Sequence, residues 1–280
     1  MHIRRLISAW ALAMLYTASY SAATAQQSAY EQFRGKNAEM GPLQPAWSTP
    51  AVEADPRLVQ YIRVAISHEY AAAGNATVCY GNGRGFGLVV GNRMEFDYAP
   101  PSYIQHNSLA VNGLGDTSLT AKFRIASGGR EYGNFALTAF LSHTFATGTY
   151  KNGAITDSWS PTLGGGVARK GFAFVSTLGG AMPTGKIATQ GRSIVWNSLV
   201  QHHLTSHLTL EAENNATYYF AGPHDGMMQN FVTPAAYYLL RPKAWHPTHG
   251  FFVFAACMQM ATSGFHSYNH NLISEVRYMF

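Results

Sequence analysis

The chain has 280 residues, of which 12% are charged, about half the share of roughly 25% that is usual for a soluble domain. The formal net charge of +5 includes Arg4 and Arg5 near the start, so the remaining excess is too slight to indicate nucleic-acid binding. Aromatic residues make up 13% and glycine is frequent, a mixture that is typical of a barrel whose outer surface faces hydrocarbon.

Residues 1–25 have the features of a secretory signal peptide. A short basic region at Arg4 and Arg5 precedes an apolar stretch from Leu6 to about Tyr20, and Ala23-Thr24-Ala25 supplies small residues for the peptidase. An uncleaved anchor helix is the alternative, but the apolar run is shorter than the roughly 20 residues that a span needs. We therefore expect cleavage after Ala25.

Residues 26–57 form an irregular lead with no sustained period. Pro42, Pro45, Pro50 and Pro56 are spaced so that they block a long helix. The lead could hang loose in the periplasm, or it could fold into the lumen as a plug. The proline spacing favours the loose lead.

Alternation of apolar and polar residues from residue 58 to residue 280 predicts about twelve antiparallel strands. The third is the clearest, because Arg93, Glu95 and Asp97 occupy every second position between apolar residues. The predicted strands are Leu58–His68, Gly83–Val90, Arg93–Ala99, Asp116–Ala126, Tyr132–Phe145, Pro161–Ala168, Phe172–Met182, Ser193–Leu204, His207–Phe220, Asn230–Leu240, Gly250–Ala261 and Asn269–Phe280. Pro100-Pro101 is expected to end the third.

The connections between these strands alternate in length. Links after strands one, three, five, seven and nine are long and polar, whereas those after strands two, four, six and eight are short, and Arg241–His249 is intermediate. Outer-membrane barrels combine short periplasmic turns with longer extracellular loops, and a soluble sandwich has no reason to do so. The predicted fold is all-β: a single antiparallel transmembrane β-barrel of about twelve strands, residues 58–280, in the cell outer membrane.

The closing strand carries two different faces. Leu272, Ser274, Val276, Tyr278 and Phe280 lie on one face, and the opposite face carries Glu275 and Arg277. We expect the first face to meet outer-membrane lipid. Val276, Tyr278 and Phe280 also resemble the C-terminal signal that the barrel assembly machinery recognises. Aromatic residues near strand ends, among them Trp159, Tyr237 and Tyr238, fit the ring belts found at headgroup level.

Charged residues on strands are predicted to face the lumen, because an outward Arg or Lys near the midplane would cost roughly 2–4 kcal/mol. The candidate pore-lining residues are Arg63, Arg93, Glu95, Asp97, Lys122, Arg124, Glu211, Glu213, Glu275 and Arg277. Strands three and four would bring acids and bases together, and barrel closure would let Arg63 meet Glu275. Two interpretations stay open: a charged eyelet that selects solutes, or a cross-linked lumen with little open pore.

The sequence predicts no catalytic site, no metal site and no cofactor. Cys79 and Cys257 are expected to be too far apart for a disulfide, and the histidines of the later half match no closed metal site. Ser142-His143 and His266-Ser267 are the local pairs that an enzyme could use. Neighbours on a strand point to opposite faces, so neither pair forms a dyad by itself.

Three stretches carry a family resemblance: NGLGDTSLTAKFRI (Asn112–Ile125), GRGFGLVVGNRMEFDYAPP (Gly83–Pro101) and MPTG (Met182–Gly185). They resemble the bacterial outer-membrane family named for the meta-pathway of phenol degradation, over most of the chain after Leu58. The resemblance implies a channel that helps aromatic or other apolar small molecules cross the membrane passively. A structural or adhesive barrel is the main alternative, and a barrel hydrolase a lesser one.

Overall fold

The computed structural model describes residues 31–71, 74–82, 85–242 and 250–280. The predicted signal peptide and its cleavage point lie outside these residues. Within them, fifteen strands form one antiparallel sheet, and pairing of the first strand with the last closes it into a barrel.

The strands are β1 (Tyr61–Tyr70), β2 (Ala76–Gly81), β3 (Phe86–Val90), β4 (Met94–Ala99), β5 (Tyr103–His106), β6 (Gly113–Leu114), β7 (Thr117–Gly128), β8 (Phe135–Phe145), β9 (Ser158–Arg169), β10 (Phe172–Pro183), β11 (Arg192–His203), β12 (Leu208–Ala221), β13 (Met228–Leu240), β14 (Phe251–Ala261) and β15 (His270–Met279). The short helices are α1 (Lys36–Met40), α2 (Ile187–Gln190) and the 3-10 turns Gly41–Leu43 and Arg130–Tyr132. None of the described helices is long and apolar enough to cross a bilayer.

Three pairs of consecutive segments each serve as one interrupted barrel strand. β2 and β3 both pair with the same side of β1, so they are two parts of one barrel strand. In the same way, β4 and β5 form one barrel strand, and β6 and β7 form another. The barrel therefore has twelve strands, as the sequence predicts.

The third barrel strand does not end at Pro100-Pro101. A proline lacks the backbone N–H that a ladder needs, so pairing stops there locally, but the chain stays extended and resumes as β5 against β2. The second barrel strand likewise starts earlier than predicted, at Ala76 in β2.

The outer face of the barrel is apolar. On β1, Ile62, Val64 and Ile66 are about half exposed, whereas the intervening Arg63 and Ala65 are buried inside. In water such a surface would be unfavourable, and in a bilayer it is the lipid face. The chain is thus a transmembrane β-barrel of the outer-membrane type. Tyr237 is not a belt residue, because the alternation turns it inward to 2% exposure while Tyr238 faces out.

One end of the barrel has the shortest connections, although it also carries the longer link 241–250. The turns Gly91–Arg93 and Lys170-Gly171 lie at the end that also holds both ends of the barrel sequence, so this end is periplasmic. The longer links 146–157, 184–191 and 262–269 lie at the opposite, extracellular end.

Residues 44–57 of the lead are packed inside the barrel together with residues 58–60, whereas residues 31–43 are mostly exposed at its periplasmic end, so the preference for a loose lead is wrong. Met40, Trp47, Ala51 and Leu58 are each at most 4% exposed. Prolines prevent a long helix, but an extended chain keeps free backbone groups that can bond to the wall. We call residues 31–60 the plug.

The plug passes close to the β7–β8 turn at the periplasmic end. A side chain at Gly129 would collide with the backbone oxygen of Pro42, at 2.0 Å from where its Cβ would lie. Ser127 Oγ donates to the carbonyl oxygen of Leu43 at 2.6 Å. The glycine therefore permits the close approach of the two backbones.

Candidate functional site: a clamped plug in the barrel lumen

Five charged wall residues surround the middle of the plug. They are Arg63 on β1, Glu211 and Glu213 on β12, and Glu275 and Arg277 on β15, and each is at most 5% exposed. Each lies at an inward position of its strand, so the twofold alternation alone directs its side chain to the lumen. We call these five residues the clamp.

The two arginines of the clamp bind carbonyl groups of the plug. Arg63 Nη2 donates to Ala51 O at 2.6 Å and to Pro50 O at 3.2 Å. Arg277 Nη2 donates to Pro50 O at 2.8 Å, and its Nη1 donates to Thr49 O.

Glu275 joins the two arginines to each other. Its Oε2 accepts from Arg63 Nε at 2.5 Å, and its Oε1 accepts from Arg277. The predicted meeting of Arg63 and Glu275 across the closure of the barrel is therefore present. The guanidinium groups are bonded to both a carboxylate and neutral carbonyls, which offsets the cost of burying them.

The two glutamates of β12 bind the N–H groups that follow in the plug. Glu213 accepts from the amides of Ala51 at 2.7 Å, Val52 at 2.9 Å and Glu53 at 3.0 Å. Glu211 accepts from Ala51 N at 3.2 Å and from the hydroxyl of Tyr237. The clamp therefore grips the main chain of the plug, with cations on its carbonyls and carboxylates on its amides.

A second charged cluster holds the end of the plug. Lys122 Nζ lies 2.6 Å from Glu95 Oε1 and 3.1 Å from Asp97 Oδ2. The register of β4 against β7 sets Glu95 opposite Lys122, as expected from the two strand patterns. Glu95 Oε2 also accepts from Val59 N at 2.5 Å.

Arg124 contacts the plug nearer its start. Its Nη2 donates to Gln44 Oε1 at 2.5 Å, and the Gln44 amide exchanges hydrogen bonds of 2.9 and 3.0 Å with the backbone of Leu58. Gln201 binds the backbone of Ser48 in the same way. Its Oε1 accepts from Ser48 N at 2.8 Å, and its Nε2 donates to Ser48 O at 2.7 Å. Amide side chains thus supply the uncharged contacts to the plug.

Arg93 differs from the other candidate residues. It is exposed in the turn before β4, since the strand begins only at Met94, so the alternation does not apply to it. The other nine candidates lie inside the barrel, with Asp97 partly exposed there.

Two carboxyl groups of the plug have shifted acidities. Burial alone would raise the pKa of Asp55, but the Arg57 guanidinium beside it, 2.7 Å away, holds that pKa below its ordinary value. Burial, and next the charge of Glu213, raise the pKa of Glu53 to about 9. Both Glu53 oxygens are buried, and neither accepts a hydrogen bond within the described residues. The protonated form of Glu53 is therefore favoured at neutral pH.

The plug leaves a cavity on either side of it. The cavity on the extracellular side of the plug, which we call the outward cavity, has a volume of about 250 Å³. It lies between plug residues such as Glu53 and the wall residues Tyr61, Asp97 and Lys122. The cavity on the periplasmic side of the plug, which we call the inward cavity, has a volume of about 230 Å³. It lies between Trp47 of the plug and the wall residues Tyr237 and Arg277. The plug thus lies between the two cavities.

The residue pairs that an enzyme could use lie apart from the clamp. Ser142 faces the lumen and shares a hydrogen bond of 2.7 Å with Thr120, whereas His143 faces out and stacks on Trp159 with ring centroids 4.2 Å apart. His266 Nδ1 lies 2.8 Å from Ser263 O. Cys79 and Cys257 form no disulfide with each other, and within the described residues no three His, Cys, Asp or Glu side chains converge as metal ligands.

The proposed C-terminal signal faces outward. Val276 is 42% exposed, and the Tyr278 ring lies 5.1 Å from that of Phe280. Phe280 also contacts the plug, since its ring centroid lies 5.4 Å from that of Phe33.

No protein-family model matches the sequence, and no curated protein matches it either. Solved structures do match its shape. An outer membrane channel from Pseudomonas putida F1 superposes with a TM-score of 0.50 at 14% identity, over 84% of this chain and 100% of that chain. This likeness supports the barrel fold.

Two further barrels match less well. The translocator domain of the autotransporter NalP from Neisseria meningitidis has a TM-score of 0.42 at 13% identity, over 94% of this chain and 98% of that one. Outer-membrane expressed OmpT of Vibrio cholerae has a TM-score of 0.39 at 8% identity, over 82% of this chain and 99% of that one.

Proposed function

We propose that the protein is an outer-membrane channel for passive entry of small molecules, closed by its plug and opened when the plug leaves the clamp. The observation that carries this proposal is the nature of the contacts around Ala51. Its amide and carbonyl groups are both held by charged wall residues, and separate cavities lie outward and inward of the plug. Hydrogen bonds to a main chain can be exchanged for water, so the plug can leave without refolding the wall.

We further propose that the solutes are small apolar or aromatic molecules. The resemblance of Asn112–Ile125 and its companion stretches to the phenol meta-pathway family supports this. The outward cavity is also in keeping with it, because Tyr61, Tyr98 and Phe140 contribute rings to its lining.

Solute entry into liposomes tests the channel. We expect slow entry with the full chain and much faster entry when residues 31–56 are deleted, with the signal peptide kept. Ser274→Ala, on the lipid face of β15, is the control and should match the full chain. If the deletion folds and inserts but admits no solute, the channel is excluded.

A structural or adhesive barrel is the second candidate. The density of charged contacts around Ala51 and Val59 favours it, because such a network also rigidifies a wall. This function predicts that neither the full chain nor the deleted chain admits solute, so the same experiment separates the two.

We also propose that Val276, Tyr278 and Phe280 address the chain to the barrel assembly machinery. Deletion of Phe280 should lower the folded, heat-modifiable fraction in the outer membrane, because the terminal aromatic is lost. Leu272→Ala, outside the last five residues, is the control. Normal assembly without Phe280 would contradict this role.

A further inference from the structure

A third cavity lies at the periplasmic rim, away from the clamp. Its volume is about 950 Å³, and it runs past the β9–β10 turn. Val167 and Phe172 line it from the lipid-facing side, whereas Ala46 of the plug and His203 line it from the lumen side. The cavity therefore connects the mouth of the barrel with its lipid face.

The charged residues that line this cavity are all basic. Arg130, Arg169 and Lys170 are exposed there, and no Asp or Glu is among the lining residues. Within the described part of the chain, none of the three lies within 4.0 Å of a carboxylate. This differs from the clamp, in which every cation has a carboxylate partner.

The backbone of the turn adds a second observation. Lys170 has a φ of 50° and Gly171 a φ of 84°, which is the geometry of a two-residue hairpin turn with both residues left-handed. Asn, Asp or Gly is preferred at the first of these positions, and a lysine there is strained by about 1 kcal/mol. The turn therefore places Lys170 at the corner of the hairpin, directly after Arg169, which pairs with Phe172.

The apolar residues indicate what kind of anion fits. Val167 and Phe172 are each about half exposed on the lipid side, directly beside Arg169 and Lys170, and the Phe172 ring stacks on His202. A free phosphate would use only the cations. A lipid would use both the cations and the apolar residues, with its phosphate at the cations and its acyl chains along Val167 and Phe172.

We propose that this rim cavity binds the headgroup of an anionic phospholipid, with Arg130, Arg169 and Lys170 around the phosphate and Val167 and Phe172 along the acyl chains. The site lies at the periplasmic edge of the bilayer, so its ligand comes from the inner leaflet. Binding here places a lipid phosphate beside the entrance of the plug at Ala46.

Native mass spectrometry of the full chain, released from mixed phosphatidylglycerol and phosphatidylcholine nanodiscs, tests the site. Phosphatidylglycerol should be retained in preference, and each of Lys170→Asn and Arg169→Gln should lower its retention about fivefold, because one cation near an anionic surface contributes about that factor. Lys170→Asn also gives the turn a preferred residue, so it should fold.

Lys186→Asn is the matched control. Lys186 has a φ of 47° and follows the opposite end of β10, so the same substitution at the extracellular end should leave retention unchanged. Equal retention of the two lipids, or an unchanged result for Lys170→Asn, would overturn the proposal. Complete displacement of phosphatidylglycerol by inorganic phosphate at equal concentration would also overturn it, since the acyl chains would then contribute nothing.

Discussion

Arg63 and Val64 are neighbours on one strand, yet they meet opposite environments. Val64 is 58% exposed to lipid and makes no specific demand on its surroundings beyond being apolar. Arg63 is 5% exposed and needs three partners, two of them in the plug and one on β15. The outer face of this barrel thus requires only that its residues are apolar. The inner face requires particular residues and the partners that they bind far away in the sequence.

The largest expected effect comes from removing the carboxylate that joins the two arginines of the clamp. Glu275→Ala leaves the buried guanidinium groups of Arg63 and Arg277 without their shared carboxylate, and should lower the free energy of unfolding by about 3 kcal/mol. Urea unfolding in liposomes measures this change. The neighbouring Ser274→Ala on the lipid face should change it little, and equal effects of the two would erase the contrast between the faces.

An effect of similar size is expected when the outer face receives a charge. Val64→Arg places on the lipid side the same residue type that Arg63 places in the lumen. It should lower the free energy of unfolding by about 2–4 kcal/mol, the cost of an outward arginine near the bilayer midplane. The yield of folded barrel in liposomes is the measurement, with Val64→Leu as the control. Normal insertion of Val64→Arg would mean that this face does not meet hydrocarbon.

The third effect, which is the smallest when taken over one pH unit, concerns the docking of the plug. The pKa of Glu53 is about 9 in the docked plug, against an ordinary value of 4.5, because Glu53 is buried near the charges of Glu213 and Asp55; the nearby Thr177 side chain offsets part of this rise. The docked state therefore binds the proton more tightly. Docking should be strongest below about pH 4.5 and weaken up to about pH 9, by at most about 1.4 kcal/mol per pH unit.

Protease cleavage of the plug between pH 5 and pH 9 measures this dependence. Glu53→Gln should flatten it, and Glu39→Gln, at an exposed position on α1, should not. A slope that is the same in all three proteins would assign the pH dependence to other groups.

The same contrast explains how far the sequence could be interpreted. Alternation predicted the twelve strands and the inward direction of Glu95, Lys122, Glu275 and Arg277, because direction follows from position along a strand. Alternation does not apply to Arg93, because this residue precedes its strand. The error at Tyr237 came from its position near a strand end, which suggested a belt, although the alternation itself turns this residue inward. Neither error concerns the pairing of the strands.

The plug was mispredicted for a different reason. The spacing of its prolines excludes a long helix, but it does not exclude an extended segment that is ordered by a wall supplying its hydrogen bonds. The contacts of Ala51 with Glu213 and of Pro50 with Arg277 span 162 and 227 residues. No periodic pattern links positions so far apart. Gln201 and Tyr237, which also hold the plug and its clamp, carry no charge that would have singled them out.

The most direct test of the account is to lock the plug. Ser48 Oγ and Thr209 Oγ1 are 3.2 Å apart, so cysteines at these two positions can form a disulfide between the plug and β12. With Cys79 and Cys257 replaced by serine and alanine, solute entry into liposomes is measured before and after reduction. We predict that entry is blocked in the oxidised protein and returns to the level of the unlocked chain on reduction. The same rate of entry in both states would contradict the claim that the plug must leave the clamp for the channel to open.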